Sequence, residues 1–222
     1  MALNNILHKK NLLGNNIKYL LSRKEFYFLK NLKGTKTSEN LAKAFAGESQ
    51  ARNRYTFYAT IARSEGFKQI EAIFLETADN EREHAKIFFN FLTENLCHID
   101  ININSTYPIA VGTTIENLKF AAEGEKQEWG VDYPKFAKIA KEEGFPLIEL
   151  AFNNILSIEK EHEQRFLSLK HNLDINATFK KDSEQYWKCR NCGYVYVGLE
   201  APSSCPTCKH PQGYFEIMYD NY

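Results

Sequence analysis

The chain has 222 residues with 28 Lys and Arg against 28 Asp and Glu, so its formal charge is zero and nothing global indicates a nucleic-acid or anionic-membrane binder. Its 43% hydrophobic and 14% aromatic residues can fill a sizeable core, and only 11 Gly and 6 Pro exclude a collagen-like or disordered chain. No apolar run approaches the roughly 18–20 residues that cross a bilayer, so a membrane-spanning role is excluded.

Residues 1–30 form a basic N-terminal extension, with six Lys or Arg and a single Glu. The remaining residues, 31–222, therefore carry a net charge of −5. The extension shows no clean helical or strand period. A targeting segment is one interpretation, although Arg and Ser, which are typical of organellar transit peptides, occur only once each.

Apolar residues at spacings of three and four predict four long helices. The first begins near Thr37, and the short junction after it makes the first two helices antiparallel neighbours. Thr113 and Glu116 resemble a capping box that opens the third helix, which Gly130 and Pro134 interrupt. The expected ranges are 37–64, 67–96, 113–143 and 145–172, with an irregular crossover over 97–112. The fold class is therefore mainly α, a four-helix bundle with a long crossover.

A polar segment, residues 173–185, is predicted to link this bundle (31–172) to a small tail (186–222). The tail has no helical period, and it contains four of the five cysteines. A unit this small cannot build an ordinary hydrophobic core, so we expect a bound metal to hold it together.

Acidic residues occur in the bundle where an apolar stripe should continue. Two helices carry Glu-x-x-His, an i, i+3 spacing that places a carboxylate and an imidazole on one helix face. One Glu from each of two helices plus Glu-x-x-His from the other two is the ligand set of carboxylate-bridged di-iron bundles. Anionic oxygens must bridge two cations that repel each other, and one imidazole per metal suits iron. The candidate ligands are Glu48, Glu81, His84, Glu125, Glu128, Glu159 and His162.

A single Glu-x-x-His on a solvated helix is common, and alone it would indicate little. Two such pairs, on the second helix of each hairpin and with carboxylates on both first helices, are difficult to obtain by chance. Other acids, such as Glu83, Glu161 and Glu163, fall off the shared face, and we expect them to be solvated or paired charges.

The tail contains two Cys-x-x-Cys pairs separated by twelve residues, a pattern of two metal knuckles. Four thiolates at this spacing bind either zinc or a single iron, and spacing alone does not separate them. Two tight pairs without a secretory signal favour metal binding in a reducing compartment, the cytoplasm, over disulfides. The ligands are Cys189, Cys192, Cys205 and Cys208.

Four long motifs stand in order along the chain: Leu32-Lys33-Gly34-Thr35-Lys36-Thr37, Ala46-Gly47-Glu48-Ser49-Gln50-Ala51-Arg52-Asn53-Arg54-Tyr55, Glu76-Thr77-Ala78-Asp79-Asn80-Glu81-Arg82-Glu83-His84-Ala85-Lys86 and Cys189-Arg190-Asn191-Cys192-Gly193-Tyr194. On these motifs the chain resembles the rubrerythrin family from Asn31 to Tyr222. The resemblance implies a ferritin-like di-iron domain fused to a rubredoxin-like domain with one iron on four cysteines. It also implies a peroxidase that reduces hydrogen peroxide to water.

The resemblance also implies roles for individual residues. Glu81 and Glu159 would bridge the irons, and the first iron would exchange Glu128 for His84 on reduction. Tyr55 and Tyr133 would form hydrogen bonds near the site. The full implied sets are Glu48, Glu81 and either Glu128 or His84 for one iron, and Glu125, Glu159 and His162 for the other, with Glu128, His84, Tyr55 and Tyr133 as catalytic residues.

Lys209 departs from simpler rubredoxins, which have Gly after the second cysteine pair. We expect it to weaken the N–H to sulfur geometry of that knuckle while leaving all four ligands in place.

The implied partners are hydrogen peroxide, an electron-donor protein (rubredoxin or an NAD(P)H-dependent reductase) and a second copy of the chain in a head-to-tail homodimer. Iron oxidation and storage is the first alternative, but a storage protein does not need the cysteine module. A binding module in which a zinc ribbon recruits nucleic acid or protein is the second. The tail carries three Lys or Arg against three acids, which is not the basic footprint of nucleic-acid binding.

The resemblance gives the extension a second interpretation. Chains of this family usually begin Met-Lys-x-Leu-Lys-Gly-Thr, and Leu29 stands here where that Met would be. A TTG leucine codon can serve as a bacterial start, and Arg23-Lys24-Glu25 can be encoded by a sequence containing a ribosome-binding site. We therefore expect residues 1–28 to be translated upstream DNA, a hypothesis that the intact mass of the native protein would test.

Overall fold

The computed structural model describes residues 31–219, so the N-terminal extension and its two interpretations lie outside the described residues. Five α-helices and a π-helical segment form the bundle. None of the described helices is long and apolar enough to cross a membrane. The helices are α1 (Lys36–Ser64), α2 (Lys68–Leu96), α3 (Thr114–Gln127), α4 (Tyr133–Glu142) and α5 (Pro146–Asp174), with the π segment at Glu128–Asp132 between α3 and α4.

The two helical hairpins turn on the same tripeptide, Glu-Gly-Phe. Gly66 ends the first hairpin turn and Gly144 the second, with φ of +86° and +75°, conformations that glycine adopts without steric cost. The following Phe67 and Phe145 donate backbone hydrogen bonds to carbonyls five residues earlier, at 2.8 and 2.7 Å. Both helices therefore end in the same left-handed turn, and the chain reverses sharply.

Each turn also supplies a glutamate that caps a helix of the other hairpin. The Glu143 carboxylate accepts hydrogen bonds from the backbone N–H groups of Lys36 and Thr37, at 3.1 and 2.8 Å, at the start of α1. The Glu65 carboxylate accepts from the N–H of Thr114, at 3.0 Å, at the start of α3. Negative charge at a helix N-terminus is favourable, so these two contacts lock the hairpins together.

The predicted helices are present, with small differences at their ends. The first begins at Lys36, one residue before the expected start, with Thr35 as its cap, because the Thr35 hydroxyl accepts from the Ser38 N–H. The capping box of Thr113 and Glu116 is present, and the interruption near Gly130 is the π segment. A π-helical turn inside a helix often marks a functional site, because it changes where the following side chains point.

Residues 97–112 contain no helix or strand, as the sequence predicts, and they run along the outside of the bundle. The Tyr107 hydroxyl donates to the Lys43 carbonyl at 2.9 Å, and the Tyr58 hydroxyl donates to the Ala110 carbonyl at 2.7 Å. Each of these two hydrogen bonds joins the crossover to α1. The C-terminal half of the crossover is therefore fixed against that helix.

Two aromatic clusters fill the bundle, one towards each end. Phe88, Phe152 and Tyr133 pack in one, and Phe74 and Phe166 in the other. Along α1, α2 and α5 the acidic residues lie between the positions that enter these clusters. The polar centre is therefore enclosed by apolar layers above and below it.

The tail folds as a three-stranded antiparallel sheet of order β2-β1-β3, in which β1 is Lys180–Cys189, β2 Val195–Glu200 and β3 Phe215–Ile217. Strand β1 begins inside the segment expected to be a linker. The sheet covers a small core formed by Trp187, Phe215 and Ala201 with two of the cysteines. It contacts the first hairpin turn, where Phe179 stacks on Phe67 with ring centroids 6.2 Å apart.

Candidate metal centres

Six of the predicted ligands meet in the middle of the bundle, and all six side chains are buried. Helix α1 contributes Glu48 and α3 contributes Glu125, while α2 and α5 each contribute a Glu and a His from successive turns of one face. The donor atoms fall into two overlapping groups, within each of which they lie no more than 4.8 Å apart. The groups are Glu48, Glu81, His84 and Glu159, and Glu81, Glu125, Glu159 and His162.

Glu81 and Glu159 belong to both groups, and each presents one oxygen to each histidine. His84 Nδ1 lies 3.0 Å from Glu81 Oε2 and 2.9 Å from Glu159 Oε1. His162 Nδ1 lies 3.2 Å from the other oxygen of Glu81 and 2.8 Å from that of Glu159. A carboxylate whose two oxygens face two separate nitrogen ligands is placed to bridge two metal ions, as in the carboxylate-bridged bundles.

Several donor atoms have no partner outside the cluster itself within the described part of the chain. Among residues 31–219, Glu48 Oε2, both carboxylate oxygens of Glu159 and His162 Nδ1 are buried, and apart from their close contacts with one another no well-aligned hydrogen bond satisfies them. Unpaired buried polar atoms are costly, and cations at the two groups would satisfy them together. The residues present therefore fit a pair of metal ions.

Two tyrosines support the ligand carboxylates, at the positions that the sequence predicts. The Tyr55 hydroxyl donates to Glu125 Oε1 at 2.5 Å, and the Tyr133 hydroxyl donates to Glu48 Oε1. Both rings are packed in the aromatic clusters, so each hydroxyl is held in one direction. Hydrogen bonds of this kind orient ligands and tune the metal.

Glu128 belongs to neither group. The resemblance implied either Glu128 or His84 for the first metal, and in this structure His84 is the one that contributes a donor atom to the group. Glu128 lies at the start of the π segment and lines a cavity of about 800 Å³ beside the centre. A Cβ added at Gly47 would lie 3.7 Å from its carboxylate oxygen, so Glu128 sits against the α1 backbone.

The electrostatics of the cluster follow from burial. Burial, together with repulsion from the neighbouring carboxylates, raises the pKa of Glu48, Glu125 and Glu128 well above the usual glutamate value. Burial alone would lower the histidine values, but Glu159 and Glu81 outweigh it and raise the pKa of His84 to about 10 and that of His162 to about 9. Without cations the cluster therefore holds protons, which metal binding must release.

Sequence reasoning missed one contact of this site. The Trp129 indole donates to Glu163 Oε2 at 2.7 Å, and so joins the residue after Glu128 to the residue after His162. Lys126 lies 3.6 Å from the other oxygen of Glu163. Glu163 is thus a paired charge, as expected, with Lys126 as the opposite charge. Its hydrogen bond from Trp129 is a contact that no spacing rule indicates.

The four cysteines of the tail converge on one point. The Sγ atoms of Cys189 and Cys208 lie 3.7 Å apart, and those of Cys192 and Cys205 are separated by the same distance. All four sulfurs lie within 4.8 Å of one another, which suits a tetrahedral thiolate site.

The two knuckles have the same geometry, and the expectation about Lys209 was wrong. Gly193 and Lys209 have φ of +77° and +64°, and each donates its N–H to the carbonyl of the first cysteine of its pair, at 2.8 and 2.9 Å. The next backbone N–H in each knuckle, from Tyr194 or His210, donates to the second cysteine's sulfur. Lys209 adopts the left-handed conformation at a cost of about 1 kcal/mol, so the N–H to sulfur contact is kept.

These two centres define a class of protein, a ferritin-like di-iron carboxylate bundle joined to a rubredoxin-like four-cysteine domain. The family model described as Rubrerythrin matches residues 39–170, and that described as the rubredoxin-like domain of rubrerythrin matches residues 187–216. Rubrerythrin-1 of Clostridium acetobutylicum is 55% identical over 87% of this chain and 100% of its own length. The chain belongs to the rubrerythrin family, whose members are generally oxidoreductases.

Solved structures agree with this fold. A partially reduced nigerythrin superposes with a TM-score of 0.57 at 28% identity, covering 85% of this chain and 92% of that one. The bacterioferritin of Desulfovibrio desulfuricans gives a TM-score of 0.58 at 20% identity, over 64% of this chain and 82% of its own. The second likeness concerns the fold of the bundle alone.

Proposed function

We propose that the protein is a peroxidase that reduces hydrogen peroxide to water, with electrons relayed through the four-cysteine site. The observation that carries the proposal is the combination, in one chain, of a buried centre with two shared carboxylates and a separate thiolate centre. A pair of metals can exchange two electrons with one substrate, and a four-cysteine iron exchanges electrons singly. Iron storage, the alternative, has no use for the second centre.

In this proposal residues 31–172 form the di-iron domain and residues 186–222 the four-cysteine domain, with residues 173–185 between them. Glu48, Glu81, Glu159 and His84 would hold one iron, and Glu81, Glu125, Glu159 and His162 the other, with Glu81 and Glu159 shared. The four cysteines would hold a third iron. A bound pair of irons would supply the two electrons needed to cleave an O–O bond.

The protein's own residues prepare that reaction. Tyr55 and Tyr133 hold Glu125 and Glu48 in fixed orientations, so the ligands need little rearrangement during turnover. Glu128 stands between the cavity and the centre, where its carboxylate can approach the first iron in place of His84. The apolar layers above and below the centre shield it at both ends of the bundle, so that access is from the side of the cavity and Glu128.

The proposed partners follow from the same arrangement. Rubredoxin or an NAD(P)H-dependent reductase supplies electrons to the tail, and the protein works in the reducing cytoplasm, where thiolates are maintained. We further propose a head-to-tail homodimer, in which the tail of one copy serves the bundle of the other. Sedimentation at working concentration tests this, since a monomer would contradict it.

Metal analysis and peroxide reoxidation test the proposal directly. The protein as isolated should contain about three irons per chain and show a thiolate-to-iron charge-transfer band. After reduction under anaerobic conditions, one addition of hydrogen peroxide should restore that band. Zinc in the tail together with no reoxidation by peroxide would overturn the proposal. Rapid iron uptake with oxygen, and slow reaction with peroxide, would favour the ferroxidase alternative.

A further inference from the structure

The cavity beside the metal centre is far larger than hydrogen peroxide requires. Its volume is about 800 Å³, whereas a water molecule, which is slightly smaller than peroxide, takes up about 30 Å³ in the liquid. It lies between α1, the crossover and α3, and both Glu128 and Tyr133 line it. The cavity therefore joins the outside of the bundle to the side of the centre where Glu128 sits.

The walls combine apolar surface with a free donor. Ala110 of the crossover and Phe120 and Phe136 of the bundle supply apolar lining, whereas Pro108 and Ile109 at the same site are exposed to solvent. Arg54 also lines it, and its Nη1 is buried without a hydrogen-bond partner among the described residues. A buried donor without an acceptor is unfavourable until a ligand supplies one. The lining is mixed, since apolar side chains share it with charged groups such as Lys43 and Asp132. A concave site of this size with apolar surface and convergent polar groups is suited to a small molecule.

The pocket is also preformed. Its outer wall is the C-terminal part of the crossover, which two hydrogen bonds fix to α1. The Tyr107 hydroxyl of the crossover donates to the Lys43 carbonyl of α1, and the Tyr58 hydroxyl of α1 donates to the Ala110 carbonyl of the crossover. A wall held in this way loses little entropy when a ligand binds. The space is thus a feature of the folded chain and does not require a loop to close over it.

We propose that this cavity binds the organic group of a hydroperoxide, so that small organic hydroperoxides are substrates beside hydrogen peroxide. The inference rests on the proposed peroxidase function and adds a substrate class to the same site. The hydroperoxide ROOH takes up two electrons and two protons, its O–O bond breaks, and the products are the alcohol ROH and water. The electrons come from the electron-donor protein, which is oxidised. Arg54 donates to a hydroperoxide oxygen while the organic group contacts the apolar wall.

Substitution at Gly124 tests the inference, because this residue lines the cavity and an added Cβ would meet nothing within 4 Å. The iron-loaded protein is assayed with cumene hydroperoxide and with hydrogen peroxide. Gly124→Phe, which fills the cavity, should lower the ratio of kcat/KM for cumene hydroperoxide to that for hydrogen peroxide about tenfold. Gly124→Ala, the matched control, should leave the ratio near the wild-type value. Gly124→Leu gives an intermediate size should the Phe variant fail to fold.

A binding measurement accompanies the assay. Cumyl alcohol, the expected product, should bind the wild-type protein in titration calorimetry and bind the Phe variant about tenfold more weakly. Iron content and circular dichroism of each variant exclude a folding defect as the cause of the change.

The outcomes separate this inference from the proposed function. Reduction of hydrogen peroxide but not of cumene hydroperoxide overturns the inference alone. Reduction of neither overturns the proposed function as well. An unchanged ratio in Gly124→Phe and Gly124→Leu, or equal binding of cumyl alcohol by all variants, shows that the organic group does not occupy the cavity.

Discussion

Glu48 and Glu125 are buried in the middle of the bundle and Glu128 lies beside them at the cavity, and the chemistry of these three residues differs from that of the surface acids. Burial and repulsion between neighbouring carboxylates raise their pKa values well above the usual glutamate value, which favours the protonated form when no cation is present. Cations displace those protons, so iron binding becomes more favourable as the pH rises. The acidic composition of residues 31–222 therefore has a local meaning, since part of the negative charge is the charge that bound metal offsets.

Replacing Glu128 by Ala should separate metal binding from turnover. Glu128 lies outside both groups of donor atoms, so the variant should keep the iron of the bundle. Hydrogen peroxide turnover should fall by roughly 10- to 100-fold, the usual range for a group that supports a metal site from beside it. Iron content and steady-state peroxidase assays measure the two effects.

Glu123→Ala is the matched control for this variant. Glu123 lies in the last turns of α3, just before the π segment, and lines the same cavity, but its side chain is 61% exposed and its contact with Lys119 is 3.7 Å long. Its loss should change neither quantity. Loss of bundle iron in Glu128→Ala would make Glu128 a necessary ligand, and wild-type turnover would remove it from the mechanism.

At the level of elements, the bundle is stabilised by caps that cross between hairpins. Glu143 accepts three hydrogen bonds at the start of α1, from two backbone N–H groups and from the Thr37 hydroxyl at 2.6 Å. Glu143→Gln should lower the free energy of unfolding by about 1–2 kcal/mol, because the amide keeps some contacts but loses the charge that favours a helix N-terminus. Urea unfolding followed by circular dichroism measures the change.

The neighbouring Glu142 provides the control for this substitution. Its side chain is 62% exposed and lies 3.9 Å from Lys138, a contact too loose and too solvated to matter. Glu142→Gln should therefore unfold at the wild-type urea concentration. A loss of equal size in the two variants would show that net charge, and not the cap, is responsible.

Helices and ligands could be predicted from the sequence because both depend on local spacing. The apolar spacing of three and four gives the helices, and Glu81, His84, Glu159 and His162 follow from the same period. The Glu-Gly-Phe repeat is visible in the printed sequence, yet the caps at Lys36 and Thr114 are not, since they join segments far apart in the chain.

Other features escaped prediction for physical reasons. The first half of strand β1 is Lys180-Lys181-Asp182-Ser183-Glu184-Gln185, which is mostly exposed and lacks the alternation that identifies a strand. Glu128 and His84 could not be ranked, because either side chain can reach the first metal from its helix. The cavity beside them depends on how the crossover folds back, and an irregular segment carries no period from which to infer its path.

On the scale of the whole molecule, the two halves differ in how they are stabilised. The bundle encloses its centre between two aromatic clusters, whereas the tail buries Trp187, Phe215, Ala201 and two cysteines. Burial of so few side chains is too little to offset the conformational entropy of about 40 residues. We therefore expect the tail to need its bound metal in order to fold. The bundle should remain largely helical when the tail is unfolded.

Removal of the tail metal tests this difference with an internal reporter. The chain has two tryptophans, so a Trp129→Phe background leaves Trp187 alone. The Trp187 side chain is fully buried, and its indole donates to the Gly198 carbonyl at 2.9 Å. Extraction of the metal under reducing conditions should shift its emission maximum to that of solvent-exposed tryptophan, because the knuckles lose their common centre. Far-ultraviolet circular dichroism should retain most of its helical signal, since the strands contribute little to it.

Zinc provides the control that separates metal loss from chemical damage. Four thiolates accept zinc or iron, so zinc added to the extracted protein should return the emission maximum to its original wavelength without restoring electron transfer. The position of the maximum is the measured quantity, because bound iron also changes the intensity by quenching. An unchanged maximum after extraction would mean that contacts such as the Phe67–Phe179 stack, and not the metal, keep the tail folded. Parallel loss of the helical signal would mean that the two halves unfold as one unit.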